Sequence, residues 1–536
     1  MKSSSLPVRL ALLFGAVFAL EDVKSTIAVF GNLGNYKLDP SVQHIPVDPN
    51  DQRLRPPPAM IPATFLIHIG SSVFRDGVRC GKTIFTALKR AVKPDRFRFG
   101  IVEQLLDTDP KCLDEYCKLA AIEWPQDTEC RYKNFIQVNP RPAAEASGCT
   151  TARHLQQQMI QDEEFCLQVD GHSIFTNGWD EIMLNEWKRI DNEMAILSVY
   201  PHDLHDFVKE NGDNNAPDWI PHLCTIVKGG NGLARIGSAS IIHGSKFPQL
   251  SALWGGGLSF GKCHAERNVP IDSHTPWLWD GEEFVRAANF WTHGYDIYSP
   301  SRLGTVMYHN YSAKPANFWK SSVDPAVKAL NTERSHNRVR LQLGIDFKGQ
   351  VDASELDKYQ FGSARSLHEF FQFAKVRLDG FMNETNSCQQ LHWVPYSNAT
   401  VVEAIVANGW KMKTLDPAVY DHDIAKAPQA QQGNRQKAAV DEVAPSQDMT
   451  ETGAGEAEVV VTPLDVGTER NDGGGNDRPI MRHVQPESGR PVETFGFMAW
   501  GFLAVVLAVL FVMLSNDRIS HAIRQNFVSP QHRSRD

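Results

Sequence analysis

This chain has no basic field. Its 536 residues carry 54 Lys and Arg against 63 Asp and Glu, a formal net charge of −9. No basic cluster is interleaved with aromatics, so the electrostatic footprint of a nucleic-acid binder is missing and no nucleic-acid partner is expected. Internal repeats are absent. Aromatics vanish between residues 427 and 490, where Ala, Gln, Gly, Glu and Asp dominate and Gly473-Gly474-Gly475 interrupts. Such a stretch has too little apolar surface to offset its ordering entropy, and it is expected to be a disordered linker. Cysteine is absent beyond Cys388, and none of the nine cysteines is spaced as a zinc site.

Two long apolar runs stand out. Leu6 to Leu20, after Lys2 and broken only by Pro7 and Arg9, reads as a signal peptide or signal anchor over residues 1–20. Phe495 to Leu514 is uncharged and about long enough to cross a ~30 Å hydrocarbon core. Arg518, Arg524, Arg533 and Arg535 follow it and argue for a cytoplasmic tail over 515–536. These features predict a membrane attachment through a C-terminal helix, with the large domain luminal in the secretory pathway (Golgi or ER) or at the cell surface. All nine cysteines fall in that domain, where disulfides persist. The odd number leaves at least one unpaired in a monomer, and Cys166, inside an apolar strand, is expected as a buried thiol. Three sequons, at Asn310, Asn383 and Asn398, agree with the compartment.

Between these ends, residues 21–60 are polar and proline-rich around Arg55-Pro56-Pro57-Pro58 and read as a stem. From 61 to 325 strand-like and helix-like runs alternate: strands over Phe65–Ile69, Phe97–Val102 and Phe165–Val169, helices over Gly81–Ala91 and Thr151–Asp162. This alternation predicts an α/β domain with a mainly parallel central sheet. Residues 326–426, with a helical pattern over Ser366–Ala374, read as an accessory domain or a packed extension.

The chemistry centres on Phe165-Cys166-Leu167-Gln168-Val169-Asp170-Gly171-His172. An apolar strand ends in an acid and a histidine two residues apart, which face one side of an extended chain. Gly171 lets the backbone turn between them. A carboxylate with an imidazole at a strand's carboxyl end suits a divalent cation such as Mn²⁺ or Mg²⁺, because ligands of α/β sheets sit beyond that end. A strand end capped by Asp170 at a turn is the plainer reading. Downstream come Trp277-Leu278-Trp279-Asp280-Gly281-Glu282-Glu283, then Phe290-Trp291-Thr292-His293-Gly294-Tyr295-Asp296, then Val306-Met307-Tyr308-His309.

This order of motifs, with Phe74-Arg75-Asp76 and Thr151-Ala152-Arg153 upstream, resembles the peptide-directed α-N-acetylglucosaminyltransferases. These are retaining enzymes of the GT-A fold that include the hydroxyproline-modifying type, and the polypeptide N-acetylgalactosaminyltransferases are more distant. The resemblance covers roughly residues 60–320. It implies Asp170, His172 and His309 as metal ligands. It implies Arg75, Asp76, Arg153 and Asp170 on the donor side, and Glu282, Glu283 or Asp280 near the reacting groups. It places Trp254, from the Trp254-Gly255-Gly256-Gly257 turn, with Trp277 and Trp279 on the acceptor side. Acids at a helix start that only complement its dipole, and tryptophans that only fill a core, are the competing readings. The implied activity is transfer of N-acetylglucosamine from UDP-GlcNAc to a Ser, Thr or hydroxyproline hydroxyl of a polypeptide. The secretory features favour mucin-like Ser and Thr. A non-catalytic sugar- or peptide-binding module on the same fold is the alternative.

Overall fold

The computed structural model describes residues 25–28 and 35–412, apart from 206, 238, 313, 321–322 and 379–386. The expected signal segment, linker, apolar 495–514 run and tail lie outside the described residues, as does the Asn383 sequon. Among the described residues no helix is long and apolar enough to cross a membrane.

An eight-stranded sheet organises the molecule. From one edge its order is Gln249–Ser251, Asp296–Ser299, Ala195–Val199, Leu258–Lys262, Phe165–Val169, Ile67–Phe74, Phe97–Leu105 and Ile136–Pro142. The last four strands run parallel, as do Asp296–Ser299 and Ala195–Val199. Leu258–Lys262 is antiparallel to both neighbours, and Gln249–Ser251 is an antiparallel edge. The inner strands are buried along nearly their whole length, as strands covered on both faces must be.

The elements expected from sequence are present with shifted ends. The first strand begins at Ile67 and runs on through Phe74, because its register with Phe97–Leu105 continues from Ile67↔Phe97 to Phe74↔Gln104. Its helix therefore starts at Gly77, four residues earlier than Gly81, and ends at Lys89. The Thr151–Asp162 helix is instead Cys149–Gln157. Leu367–Ala374 starts one residue past Ser366, which forms a capping box with Glu369.

Residues 326–412 share the sheet's core. Val339, Leu343, Phe370, Trp393 and Val402 are all buried in the same apolar cluster as Ile67, Leu167 and Phe260. Residues 36–60, expected as a stem, are also docked. Leu54 joins the core, the buried Gln43 amide bonds Pro248 O and Leu250 N, and Pro57 O accepts from Glu193 N at 2.8 Å. A proline-rich strap has few N–H groups of its own to satisfy, so its carbonyls are available to the domain beneath it.

Among the described residues, four disulfides join Cys80–Cys112, Cys117–Cys130, Cys166–Cys263 and Cys224–Cys388, and Cys149 is in none of them. The expectation for Cys166 is thereby corrected: it is bonded, not a thiol. Antiparallel pairing of Leu258–Lys262 with Phe165–Val169 sets Gly261 opposite Cys166 and delivers Cys263 beside it, a proximity of distant segments that strand composition does not reveal.

Candidate active site

Asp170 leaves the carboxyl end of Phe165–Val169 and His172 follows across Gly171. A β-carbon on Gly171 would meet Val73 Cγ2 at 2.5 Å, so the turn is pressed against the first strand and admits no larger residue without displacement. His309 arrives from 137 positions further along the chain by a two-stranded antiparallel ribbon: Met307–His309 pairs with Ser173–Phe175, with His309 opposite Ser173. The ribbon is locked by Asn310 N donating to His172 O at 2.9 Å and His309 N donating to His202 O at 2.8 Å.

The three expected ligands therefore converge. One ligand atom from each of Asp170, His172 and His309 lies within 4.8 Å of the other two. His309 Nε2 is 3.0 Å from Asp170 Oδ2, and the two imidazoles meet edge to face at 4.4 Å. Burial, reinforced by His309, holds His172 well below its ordinary pKa although Asp170 opposes the shift. The neutral imidazole is the form that binds a metal. His172 Nε2 is buried and has no hydrogen-bond partner among the described residues. One carboxylate and two imidazoles, with a buried nitrogen of His172 left open, fit a single divalent ion such as Mn²⁺.

Asp170 and His172 line a cleft with about 990 Å³ of empty volume, its open mouth included, over the carboxyl ends of the parallel strands. Arg153 reaches it from the Cys149–Gln157 helix. Its guanidinium pairs with Glu282, accepts company from Asp170 Oδ1 at 3.8 Å and donates to Gly256 O at 3.4 Å. Gly256 permits this: a β-carbon there would fall 2.3 Å from Arg153 Nη2. Asp76 also lines the cleft, paired with Arg79 and 4.0 Å from His172 Nδ1.

The acids of 280–283 go three ways. Glu282 and Glu283 open the helix Glu282–Thr292. Glu282 binds Arg153, with the Cys149 thiol 3.6 Å from its other oxygen. Glu283 accepts from the Tyr200 hydroxyl and from Gly256 N at 2.8 Å. Asp280 turns to the hairpin joining Ile226–Lys228 and Ala234–Ile236, accepting from Gly230 N at 3.0 Å and facing Arg235 at 3.6 Å. It is not on the cleft wall, because the αL glycine Gly281 reverses the chain before the helix begins.

Three further expected residues are elsewhere. Arg75 carries φ 52° and points its guanidinium to Asp109, at 2.7 and 3.0 Å, outside the cleft. Trp254 is buried beneath Arg153 with its indole N–H on Ser259 Oγ at 2.9 Å, which makes it a floor to the site and not an acceptor wall. Trp277 is buried and stacked on Phe318 at 5.0 Å, behind the surface. Trp279 does line the cleft, opposed edge to face by Trp319 at 6.0 Å. Phe318 and Trp319 were not expected from sequence. The available signal was an aromatic pair nine and ten residues past His309 in an otherwise polar segment. Lys328 fixes this wall, lying over Trp277 at 4.3 Å and donating to Trp319 O at 3.0 Å.

Known proteins resemble this chain in part. No curated protein matches it. Among solved structures, GalNAc-T7 with UDP, GalNAc and Mn²⁺ is 12% identical with a TM-score of 0.38, covering 58% of this chain and 57% of that one. The mannosyltransferase PcManGT from Pyrobaculum calidifontis, in complex with GDP-Man and Mn²⁺, is 11% identical, TM-score 0.32, covering 70% and 83%. S. aureus TarS 1-349 in complex with UDP-GlcNAc is 11% identical, TM-score 0.30, covering 55% and 78%. This chain thus spans little more than half the length of the GalNAc-T7 chain, and likenesses this weak carry nothing about its chemistry. The family model described as Glycosyltransferase (GlcNAc) matches residues 114–379, which include Asp170, His172, Glu282 and His309, and the chain therefore carries a glycosyltransferase domain.

Proposed function

We propose that this protein is a metal-dependent transferase of the GT-A type that moves N-acetylglucosamine from UDP-GlcNAc to a polypeptide hydroxyl, of Ser, Thr or hydroxyproline. The observation that carries the reading is the convergence of Asp170, His172 and His309 beside Arg153 in one cleft at the carboxyl ends of the strands.

A bound Mn²⁺ or Mg²⁺ would act there as a Lewis acid toward the leaving diphosphate. Arg153 adds a second positive charge on the same side, and its planar fork suits phosphate oxygens. Glu282 holds that fork in place and offsets its charge while the cleft is empty of nucleotide. Glu283 accepts from Tyr200 and from Gly256 N, and so fixes the glycine turn that lies against Arg153. Trp279 and Trp319 offer flat faces for a sugar ring or an extended peptide. Retention of configuration comes from the resemblance to the peptide-directed enzymes.

We further propose a luminal position in the secretory pathway, with a membrane attachment through 495–514. Four disulfides in the described residues support an oxidising compartment. The test is incubation of the protein with UDP-sugars, Mn²⁺ and Ser/Thr-rich or hydroxyproline peptides, reading UDP release and glycopeptide mass. Metal-dependent addition of N-acetylhexosamine, abolished by Asp170→Ala, is the expected result. Absence of both turnover and metal-promoted UDP binding would sink the reading.

A further inference from the structure

One end of the cleft is used by neither the metal triad nor Arg153. The strands beneath it run in the order Phe165–Val169, Ile67–Phe74, Phe97–Leu105. Asp170 follows the first and Gln104 lies near the end of the third. Neighbouring strands are ~4.8 Å apart, so Gln104 stands two steps, about 10 Å, from the strand that carries Asp170. That is the reach of a nucleoside whose diphosphate sits on the triad.

Gln104 points into this space. It is the register partner of Phe74 in a parallel pair, so both side chains leave the sheet on the same face. Phe74 meets Phe318 edge to face at 5.4 Å on the cleft wall. Ser72, two residues back on that face, donates to Gln156 Oε1 at 2.9 Å. Glu103, on the opposite face, is satisfied by Cys112 N. Gln104 is only 6% exposed and lines the cleft, yet its side-chain amide makes no hydrogen bond with the described residues. The amide faces the cleft, and both its donor and its acceptor are open to a ligand.

We infer that Gln104 reads the imide edge of uracil. Its Nε2–H donates to a ring carbonyl and its Oε1 accepts the ring N3–H, with Phe74 and Phe318 bordering the base and the Ser72–Gln156 pair beside it. This inference rests on the nucleotide-sugar reading above and names the residue that selects the nucleotide.

The test compares UDP with 3-methyl-UDP, whose ring is intact but whose N3 carries a methyl in place of hydrogen. Binding is measured by calorimetry on the full chain with Mn²⁺, for wild type, Gln104→Ala and the near-isosteric Gln104→Met, and Mn²⁺ affinity is read separately by electron paramagnetic resonance. Wild type is expected to prefer UDP by about tenfold or more, the discrimination of a site built around a hydrogen bond. In both variants Mn²⁺ affinity stays the same while the preference collapses toward one. Persistence of the preference in a folded variant, or its absence from wild type, overturns the assignment of Gln104. If wild type binds no UDP at all with Mn²⁺, the nucleotide-sugar reading fails as well, so the two failures are told apart.

Discussion

Two clusters of acidic and metal-ligating residues were legible in this sequence, and the fold treats them differently. Asp170 and His172 stand two apart at a strand end, and both reach the same site, where His309 joins them. Asp280, Glu282 and Glu283 stand equally close together, and they engage three separate partners: the Gly229–Leu233 turn, Arg153, and Tyr200 with Gly256. The difference is periodicity. Residues two apart on an extended chain share a face, whereas successive residues at a helix start fan out by about a quarter turn each. An Asp-x-His at a strand end is thus a statement about one site. A run of acids before a helix is a statement about several.

The sharpest way to break this contrast is to remove the shared member of the first cluster. Asp170→Asn should lower Mn²⁺ affinity by at least about a hundredfold, since even outer-shell partners of metal ligands are worth ten- to a hundredfold. Paramagnetic resonance on the free protein checks it. An unchanged affinity would mean that the convergence of the three side chains has no bearing on metal.

Next in size is Glu282. Its loss leaves Arg153 buried, at 5% side-chain exposure, without its main counter-charge. Glu282→Ala should cost roughly 3 kcal/mol of stability, as breaking a buried pair from one side does. The double variant Arg153→Met, Glu282→Ala should recover part of this. Urea denaturation of the four proteins gives the coupling, and strict additivity would show that the pair is not a unit.

Asp280→Ala separates the neighbours. It removes a hydrogen bond to Gly230 N and a longer contact with Arg235, so about 1 kcal/mol of stability is expected to go. Nucleotide binding should stay within about twofold, because a change this far outside the cleft shifts binding by only a few tenths of a kcal/mol. A loss of UDP binding as large as that of Glu282→Ala would erase the distinction between the three acids.

The smallest effect concerns the segment leading into both tryptophans. His274 is hydrogen-bonded to Asp352 and Glu355, each at 3.0 Å. Burial alone would lower its pKa, but its bonds to Glu355 and Asp352 outweigh this and hold it above its ordinary 6.5. The sign follows: a raised folded-state pKa stabilises fully below the unfolded value, and the stabilisation is lost as pH rises through the folded one. On the acid side Asp352, held at about 2, contributes above its ordinary 3.8 and loses that contribution as pH falls toward 2. The melting-temperature gap between wild type and His274→Gln should therefore be widest between about pH 4 and 6.5 and narrow above it. A gap independent of pH would remove the ion pairs from the account.

How far the sequence could be read follows the same logic as the two clusters. The Phe165–Val169 strand, its Asp170 and His172, and the α/β alternation were visible because each is a local pattern of two or three positions. The end of the first strand at Phe74 was not, because only pairing with Phe97–Leu105 carries it that far. Cys166 gave no sign of its partner 97 residues away. Arg75, read as a donor contact, is turned outward by a left-handed backbone and a carboxylate at Asp109. Trp254 is a large apolar side chain whether it lines a wall or a floor, and only packing under Arg153 decides between them.

What the sequence by itself determined is therefore the chemical inventory: a carboxylate and an imidazole at one strand end, a second histidine downstream, an arginine on a helix before them, acids at a helix start, and an excess of negative charge. What only the tertiary structure decided is which of these share a site. A ribbon pairs His309 with Ser173, a glycine lets Arg153 pass, and parallel register turns Gln104 and Phe74 to the same face. Local patterns fix the direction of a side chain relative to its own backbone. Long-range pairing fixes where that backbone lies, and a site needs both.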